Sequence, residues 1–312
     1  MAMRRLRNRS LDNTGFDNST GNASGRLINR DGSSNIIRTG ISRFDMYSAY
    51  HTFINLSFSH FAFFSLLAFF VANLFFATCY FLLGPEALGI PAKSNWFLFS
   101  ESFFFSVQTI TTVGYGHYYP ICLMANILAA IEALFGCMSL AVLTGLLYGR
   151  FSRPRAYMLF SKHALVGPFK EGRALMFRLA PYKNTIITDA EVKLNLAITE
   201  EHEGKRVSKF YSLDVDVNKI NTLGLNWTIV HPLNEESPLA NLTEENIHEA
   251  EFEILVFFQA FDEDFSNTIK TKYSYNQNEI IFNAKFNQMF KRSEDQRNTI
   301  LELDKIDDYH LL

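Results

Sequence analysis

TTVGYG, residues 111–116, is the stretch on which the architecture of this chain turns. Directly before it stands WFLFSESFFFSVQTI, residues 96–110, helical in character but too short to cross a bilayer. A long apolar run lies on either side. Residues 53–83 contain no Asp, Glu, Lys or Arg, and residues 121–149 contain Glu132 alone. At about 1.5 Å of rise per residue both exceed the roughly 30 Å hydrocarbon core of a membrane, so both are predicted transmembrane helices. Gly84–Pro85 ends the first and Gly149–Arg150 the second. A short apolar helix between two spans reads as re-entrant.

A cation that crosses a membrane must shed its water and find replacement oxygens at every step, and the carbonyls of an extended loop supply them when all point one way. Neighbouring carbonyls normally face opposite sides, so the backbone conformation has to alternate; Gly114 and Gly116 permit the unusual φ values this needs. Thr112 adds a hydroxyl oxygen. Thr112, Val113, Gly114, Tyr115 and Gly116 are therefore the predicted potassium selectivity filter, with the ion held by oxygens of Thr112, Val113, Gly114 and Tyr115. The predicted pore helix, residues 97–109, directs its partly negative C-terminal end at the waiting cation. One chain supplies one loop and a cage takes four, which predicts a homotetramer.

Further along, Leu140, Thr144 and Tyr148 lie four apart and form one stripe on the second span, either pore-lining or ordinary helix packing. Tyr148 stands at the end where four inner helices would converge, and its ring would close the path as a hydrophobic constriction. Gly136 and Gly145 read as packing or hinge glycines, packing being the default in a membrane helix. Glu132 is a functional candidate as an intramembrane acid, either hydrogen-bonded behind the filter or facing the ion. His60 and Asn73 read as helix–helix contacts.

The whole-chain averages conceal two opposite halves. The chain is 48% hydrophobic and 20% charged with a net charge of −3, yet most of its 31 phenylalanines crowd into the first half and most of its acids into the second. This pairs a membrane unit with a soluble one. Residues 1–40, rich in Arg, Asn, Ser and Gly, are predicted to be a disordered arm. Residues 41–52, with Ile41, Phe44, Tyr47 and His51 at helical spacing, are predicted to lie as an amphipathic helix along the membrane surface. Arg38 and Arg43 precede the first span and Arg150, Arg153 and Arg155 follow the second, whereas Lys93 stands alone between them, so both termini are expected to be cytoplasmic. The same three arginines, in RFSRPR at 150–155, would attract anionic lipid head groups, although the inside-positive signature alone would place them there. Cys79, Cys122 and Cys137 lack metal-ligand spacing and read as small buried hydrophobes.

From about residue 160 the pattern is β. Ala190, Val192, Leu194, Leu196 and Ile198 alternate with more polar neighbours, and short runs at 174–180, 207–217, 227–231, 252–261 and 279–286 continue it, which predicts a sandwich. No Gly-x-Gly-x-x-Gly follows a strand, so a Rossmann-type regulatory domain is not expected. No nucleophile–base arrangement is legible; the chain is predicted not to be an enzyme, to need no cofactor beyond the permeant ion, and to bind no nucleic acid. The competing readings are a membrane-anchored sensor with a vestigial pore and a poorly selective cation channel.

Three separated stretches carry a resemblance: FFFSVQTITTVGYG at 103–116, TGLLYGRFSRPRA at 144–156 with FSKHALV following, and HPLNEESPL at 231–239. In these the chain resembles the inward-rectifier potassium channels, most closely their prokaryotic branch, over about residues 41–290. The resemblance implies a membrane pore domain of two transmembrane helices and a re-entrant pore helix (53–150), then a cytoplasmic immunoglobulin-like sandwich (151–290); the tail at 291–312, beyond the resemblance, alternates acids with Ile and Leu and is expected to pack as a strand or helix against a neighbouring subunit. The resemblance also implies a surface "slide" helix at 41–52, a gate at Tyr148, and modulation by anionic phospholipid or phosphoinositide through Arg150, Arg153 and Arg155. A prokaryotic inner membrane follows from the same likeness, and it is supported by Cys122, which has no partner before the filter where eukaryotic members carry a cysteine pair. Leu140 occupies a position that is acidic in strong rectifiers, so block by magnesium or polyamines is expected to be weak. Two departures stand out: Gln108, a filter-supporting position together with Glu132, replaces the family's usual Glu, and His117 follows the filter where prokaryotic relatives carry Asp. The resemblance thereby implies a pH-dependent outer mouth.

Overall fold

Ser48 caps the first helix, α1 (Ala49–Asn55), its hydroxyl accepting from the His51 amide. Leu56 then leaves the helical region at φ −58°, ψ 152°, and Ser57 caps α2 (Phe58–Leu83) by accepting from the His60 amide. The charge-free run expected to begin a span at residue 53 is thus divided: its first residues finish the short helix, and the membrane helix starts at Phe58. Hydrophobicity alone does not mark this break; two polar caps do. This computed structural model describes residues 26–37, 39, 40, 42, 48–91, 93–152, 155–202, 205–245, 247 and 251–312. Ile41, Phe44 and Tyr47, on which the predicted surface helix largely rested, lie outside them.

Two compact units result, Gly40–Arg153 and Met1–Thr39 with Pro154–Leu312. In the first, Gly84 ends α2 at φ 90°, a conformation that favours glycine, and Ser94 caps α3 (Asn95–Ile110). This re-entrant helix is slightly longer at both ends than the expected 97–109. The second long helix, α4, covers Leu123–Phe151 against an expected 121–149. Phe76, Tyr80, Leu88, Ile90, Leu98, Phe105 and Ile110 form the core of this unit, with the Tyr80 and Phe105 rings edge to face at 5.1 Å. Most of the apolar surface of α2 and α4 stays uncovered by the chain itself, Phe63, Leu66, Leu134 and Val142 among it. So wide an apolar surface is stable in lipid or against other subunits and not in water.

The second unit is the expected β-sandwich, antiparallel except for one parallel pair. In one sheet β3 (Gly172–Pro181) pairs with β1 (Met158–Phe160), β2 (Ala164–Phe169) and β7 (Trp227–Pro232), and β10 (Ile280–Phe282) joins β2 in parallel. In the other, β4 (Ile187–His202) pairs with β5 (Lys205–Leu213), β6 (Lys219–Thr222) and β8 (Glu251–Asp262), and β9 (Asn267–Asn276) lies beyond β8. Alternate residues face inward: Leu175, Phe177 and Leu179 of β3 meet Val192, Leu194 and Leu196 of β4 and Ile254, Val256 and Phe258 of β8 in one core.

Both ends of this unit depart from expectation. The C-terminal segment is no separate tail: β11 (Ala284–Phe286) pairs with β14 (Tyr309–Leu311), β12 (Phe290–Arg292) with β13 (Thr299–Leu301), and Met289 and Ile306 are buried against Ala180. Residues 26–37, expected within a disordered arm, are folded onto the outer face of the second sheet. Leu27 and Ile28 are buried there with Ala197, Phe210 and Leu255, and their amides donate to the Glu253 carboxylate at 2.7 and 3.2 Å. Arg26 and Arg30 both pair with Glu279. Two apolar residues inside a polar stretch are a weak signal until a sheet offers them a matching surface. Residues 1–25 lie outside the described part.

Candidate ion-conduction site

The loop at 112–116 is built as an alternation. Thr112, Gly114 and Gly116 have φ of 57°, 54° and 76°, while Val113 and Tyr115 between them do not enter the positive region. Flipping every second residue brings successive carbonyls to one side of the strand. Thr112 joins the two glycines in this geometry, which glycine content alone does not reveal.

The amides of the loop explain how it is held. The Val113 and Gly114 N–H groups donate to the Gln108 carbonyl at 3.0 and 3.3 Å, and Thr112 N–H donates to the Thr109 carbonyl at 3.1 Å. These are carbonyls at the C-terminal end of α3 that the helix itself leaves unpaired. Among the described residues, no donor reaches a carbonyl of residues 112–116. The first three amides of the loop therefore turn to α3 while its acceptors stay free, the polarity a dehydrated cation requires. All five residues are exposed within the single chain.

Behind the loop, α4 approaches closely. A Cβ at Gly136 would lie 2.3 Å from the Ile110 carbonyl oxygen, so this glycine is a packing residue; Gly145 has nothing within 4 Å. One turn before Gly136, the Glu132 carboxyl is fully buried and bonds to the Tyr80 hydroxyl at 2.7 Å and to Ser106 Oγ at 2.5 Å. Ser106 also reaches Asn73 Oδ1 at 3.1 Å. Glu132 is thus tied to both α2 and α3. The sequence reading singled out Glu132 and Asn73 but not Tyr80 or Ser106; the available signal was the seven-residue spacing of Asn73 and Tyr80, which places them on one helix face.

Leu140, Thr144 and Tyr148 are all exposed within the chain, and Thr144 Oγ1 donates back to the Leu140 carbonyl at 2.8 Å. Arg150 is not free. Its guanidinium donates to the carbonyls of Phe53, Ile54 and Leu56 at 2.7, 3.2 and 2.8 Å and lies 4.8 Å from the centre of the Phe61 ring. It caps the C-terminal end of α1, where a cation is favoured by both the helix dipole and the unpaired carbonyls. Arg155 is exposed, and Arg153 lies outside the described residues.

At 34% identity over 277 residues, 88% of this chain and 92% of the relative, the sequence matches the inward rectifier potassium channel Kirbac3.1 of Paramagnetospirillum magnetotacticum. The chain belongs to the inward rectifier potassium channel family. The inward rectifier potassium channel C-terminal domain matches residues 158–308, which is the sandwich, and the ion channel family matches residues 67–153, which hold the loop at 112–116 and α4. Inward rectifier potassium channel irk-1 of Caenorhabditis elegans is 23% identical over 288 residues, 85% of this chain and 53% of that one. G protein-activated inward rectifier potassium channel 4 of Homo sapiens is 26% identical over 208 residues, 63% and 49% of the two chains. The chain thus spans about half the length of these two animal relatives. It is a membrane protein and a potassium channel of the inward-rectifier type, not an enzyme, and potassium is its permeant ion.

Proposed function

We propose that four copies of this inward-rectifier chain surround one pore, with potassium coordinated in single file by oxygens of Thr112, Val113, Gly114 and Tyr115. The observation that carries this is the alternation of positive and negative φ through 112–116, with the amides of Thr112, Val113 and Gly114 bonded to α3 and the carbonyls of the loop unbonded among the described residues. Four chains rather than one are supported by the single loop per chain and by the large apolar surface that α2 and α4 leave uncovered. Leu140, Thr144 and Tyr148 line the inner pore, and closure occurs where the Tyr148 rings converge. Anionic phospholipids act at Arg153 and Arg155. Arg150, already bonded to three carbonyls, serves α1 instead. Both termini face the cytoplasm across the inner membrane, in keeping with the excess of arginine flanking the spans over the lone Lys93 between them.

The deciding measurement is rubidium uptake into potassium-loaded proteoliposomes. Uptake that barium blocks and sodium does not replace is expected, and it disappears in Gly114→Ala, where φ 54° disfavours a side chain. Sodium entering as readily as rubidium would overturn the filter assignment. Leu140 places no charge in the inner pore, so spermine on the inner side is expected to block only weakly.

A further inference from the structure

Glu132 has no cation to pair with. Between Arg43 and Arg150 the chain carries one Lys or Arg, and that residue, Lys93, lies over the Phe97 ring. Of the histidines in this stretch, His51 bonds to Asn55, His60 to Ser57, and His117 stacks edge-on against Tyr118. Further copies of the same chain bring the same residues and so no new cation to the membrane helices. An ionised carboxylate buried without a counter-charge is strongly disfavoured.

Counting protons gives the same answer independently. Asn73 Nδ2 donates to the Phe69 carbonyl at 2.7 Å, which fixes its Oδ1, an acceptor, toward Ser106 at 3.1 Å. The Tyr80 hydroxyl donates to Glu132 Oε2 at 2.7 Å. Ser106 carries one hydroxyl proton but faces two oxygens, Asn73 Oδ1 and Glu132 Oε1. Were Glu132 a carboxylate, one of these buried acceptors would go without a donor. A proton on Glu132 Oε1 resolves the shortage: Glu132 donates to Ser106, and Ser106 donates to Asn73. All four side chains are fully buried, out of reach of bulk water.

We infer that Glu132 is held as the neutral carboxylic acid, and that the one-way chain from Tyr80 through Glu132, Ser106 and Asn73 to the Phe69 carbonyl is the device that positions α3 behind the loop. Glu132 is a positioning residue and touches no ion. Its effect on conduction rests on the reading of 112–116 as the filter; its protonation does not. Gly136, four residues on, meets α3 at Ile110, so α4 grips the re-entrant helix at two points one turn apart.

Infrared spectra of the full-length channel in lipid at neutral pH, with and without carbon-13 glutamate, test the state directly. A carboxylic-acid carbonyl band that shifts with the label and disappears in Glu132→Gln is expected. Glu132→Gln should also keep the wild-type melting temperature and rubidium-over-sodium ratio, because its amide donates to Ser106 and accepts from Tyr80 as the acid does. Glu132→Ala should lose both. The inference is overturned if no labelled acid band exists, or if Glu132→Gln fails to assemble or is as impaired as Glu132→Ala. An acid band in a channel that passes sodium as readily as rubidium would reject the filter reading and leave this one standing.

Discussion

A methyl group at Gly136 would stand 2.3 Å from the Ile110 carbonyl oxygen, closer than any real contact, and 2.9 Å from its Cα. Backbone cannot step aside as a flexible side chain can, so α4 and α3 would have to separate. Overpacking of this kind costs about 1–3 kcal/mol, and here it falls on the helix whose last carbonyls hold the amides of Thr112, Val113 and Gly114. Gly136→Ala is expected to lower the melting temperature and abolish rubidium uptake. Gly145→Ala, with open space around it in its own chain, is expected to leave uptake intact. Equal tolerance of both changes would show that the close approach is not needed. At the same scale, Thr112 at φ 57° shows a limit of reading residues singly: a β-branched residue gives no hint of that conformation, which comes from its amide being drawn to the Thr109 carbonyl.

Among the elements, β7 holds a histidine whose role is structural. His231 is buried, its Nδ1 at 2.6 Å from the Asp214 carbonyl and its Nε2 at 2.7 Å from Ser237 Oγ. A carbonyl only accepts, so Nδ1 carries the proton and Nε2 accepts from the serine hydroxyl; the neutral ring satisfies every partner. Burial lowers its pKa below the ordinary histidine value, the Asp214 carbonyl acting against this to a lesser extent. The unfolded chain therefore takes up this proton more readily than the folded one. The stability His231 contributes is complete above its unfolded pKa of about 6.5 and declines as pH falls below it. Melting followed by circular dichroism is expected to show a loss of stability from pH 7 to pH 5. In His231→Asn the melting temperature starts lower at pH 7 but falls less steeply. An identical slope in both would assign the effect to other groups.

On the scale of the whole molecule, the sandwich recruits chain from both sides of the membrane unit. Residues 26–37 bring two buried apolar side chains, two amides for Glu253 and two arginines for Glu279. Removing them strips a nearly buried carboxylate of its donors, at a cost of about 1–3 kcal/mol from that group alone. Deletion of residues 1–37 is expected to lower the melting temperature of the full channel, and Glu253→Gln in the shortened chain to recover part of the loss by removing the charge. No change on deletion would mean that the segment contributes no net stability.

Length without charge determined the two spans, and Gly114 and Gly116 behind an apolar helix marked the loop at 112–116 as the proposed filter, because both readings depend on local chemistry that a few adjacent residues carry. Alternation likewise marked β4 and its neighbours, whereas β9, reading NTIKTKYSYN, was not picked out, since its inward Ile269, Tyr273 and Tyr275 are diluted by polar residues. Other features required partners distant in sequence. Arg150 reads as a lipid ligand until α1 presents it with three carbonyls, and the stretches at 26–37 and 291–312 read as loose ends until the sheets give them surfaces. Glu132 could be marked as important from its sequence alone. Whether it faces an ion or a serine depended on which helices met around it, because the stability of a buried acid is set by the donors and acceptors that surround it in space.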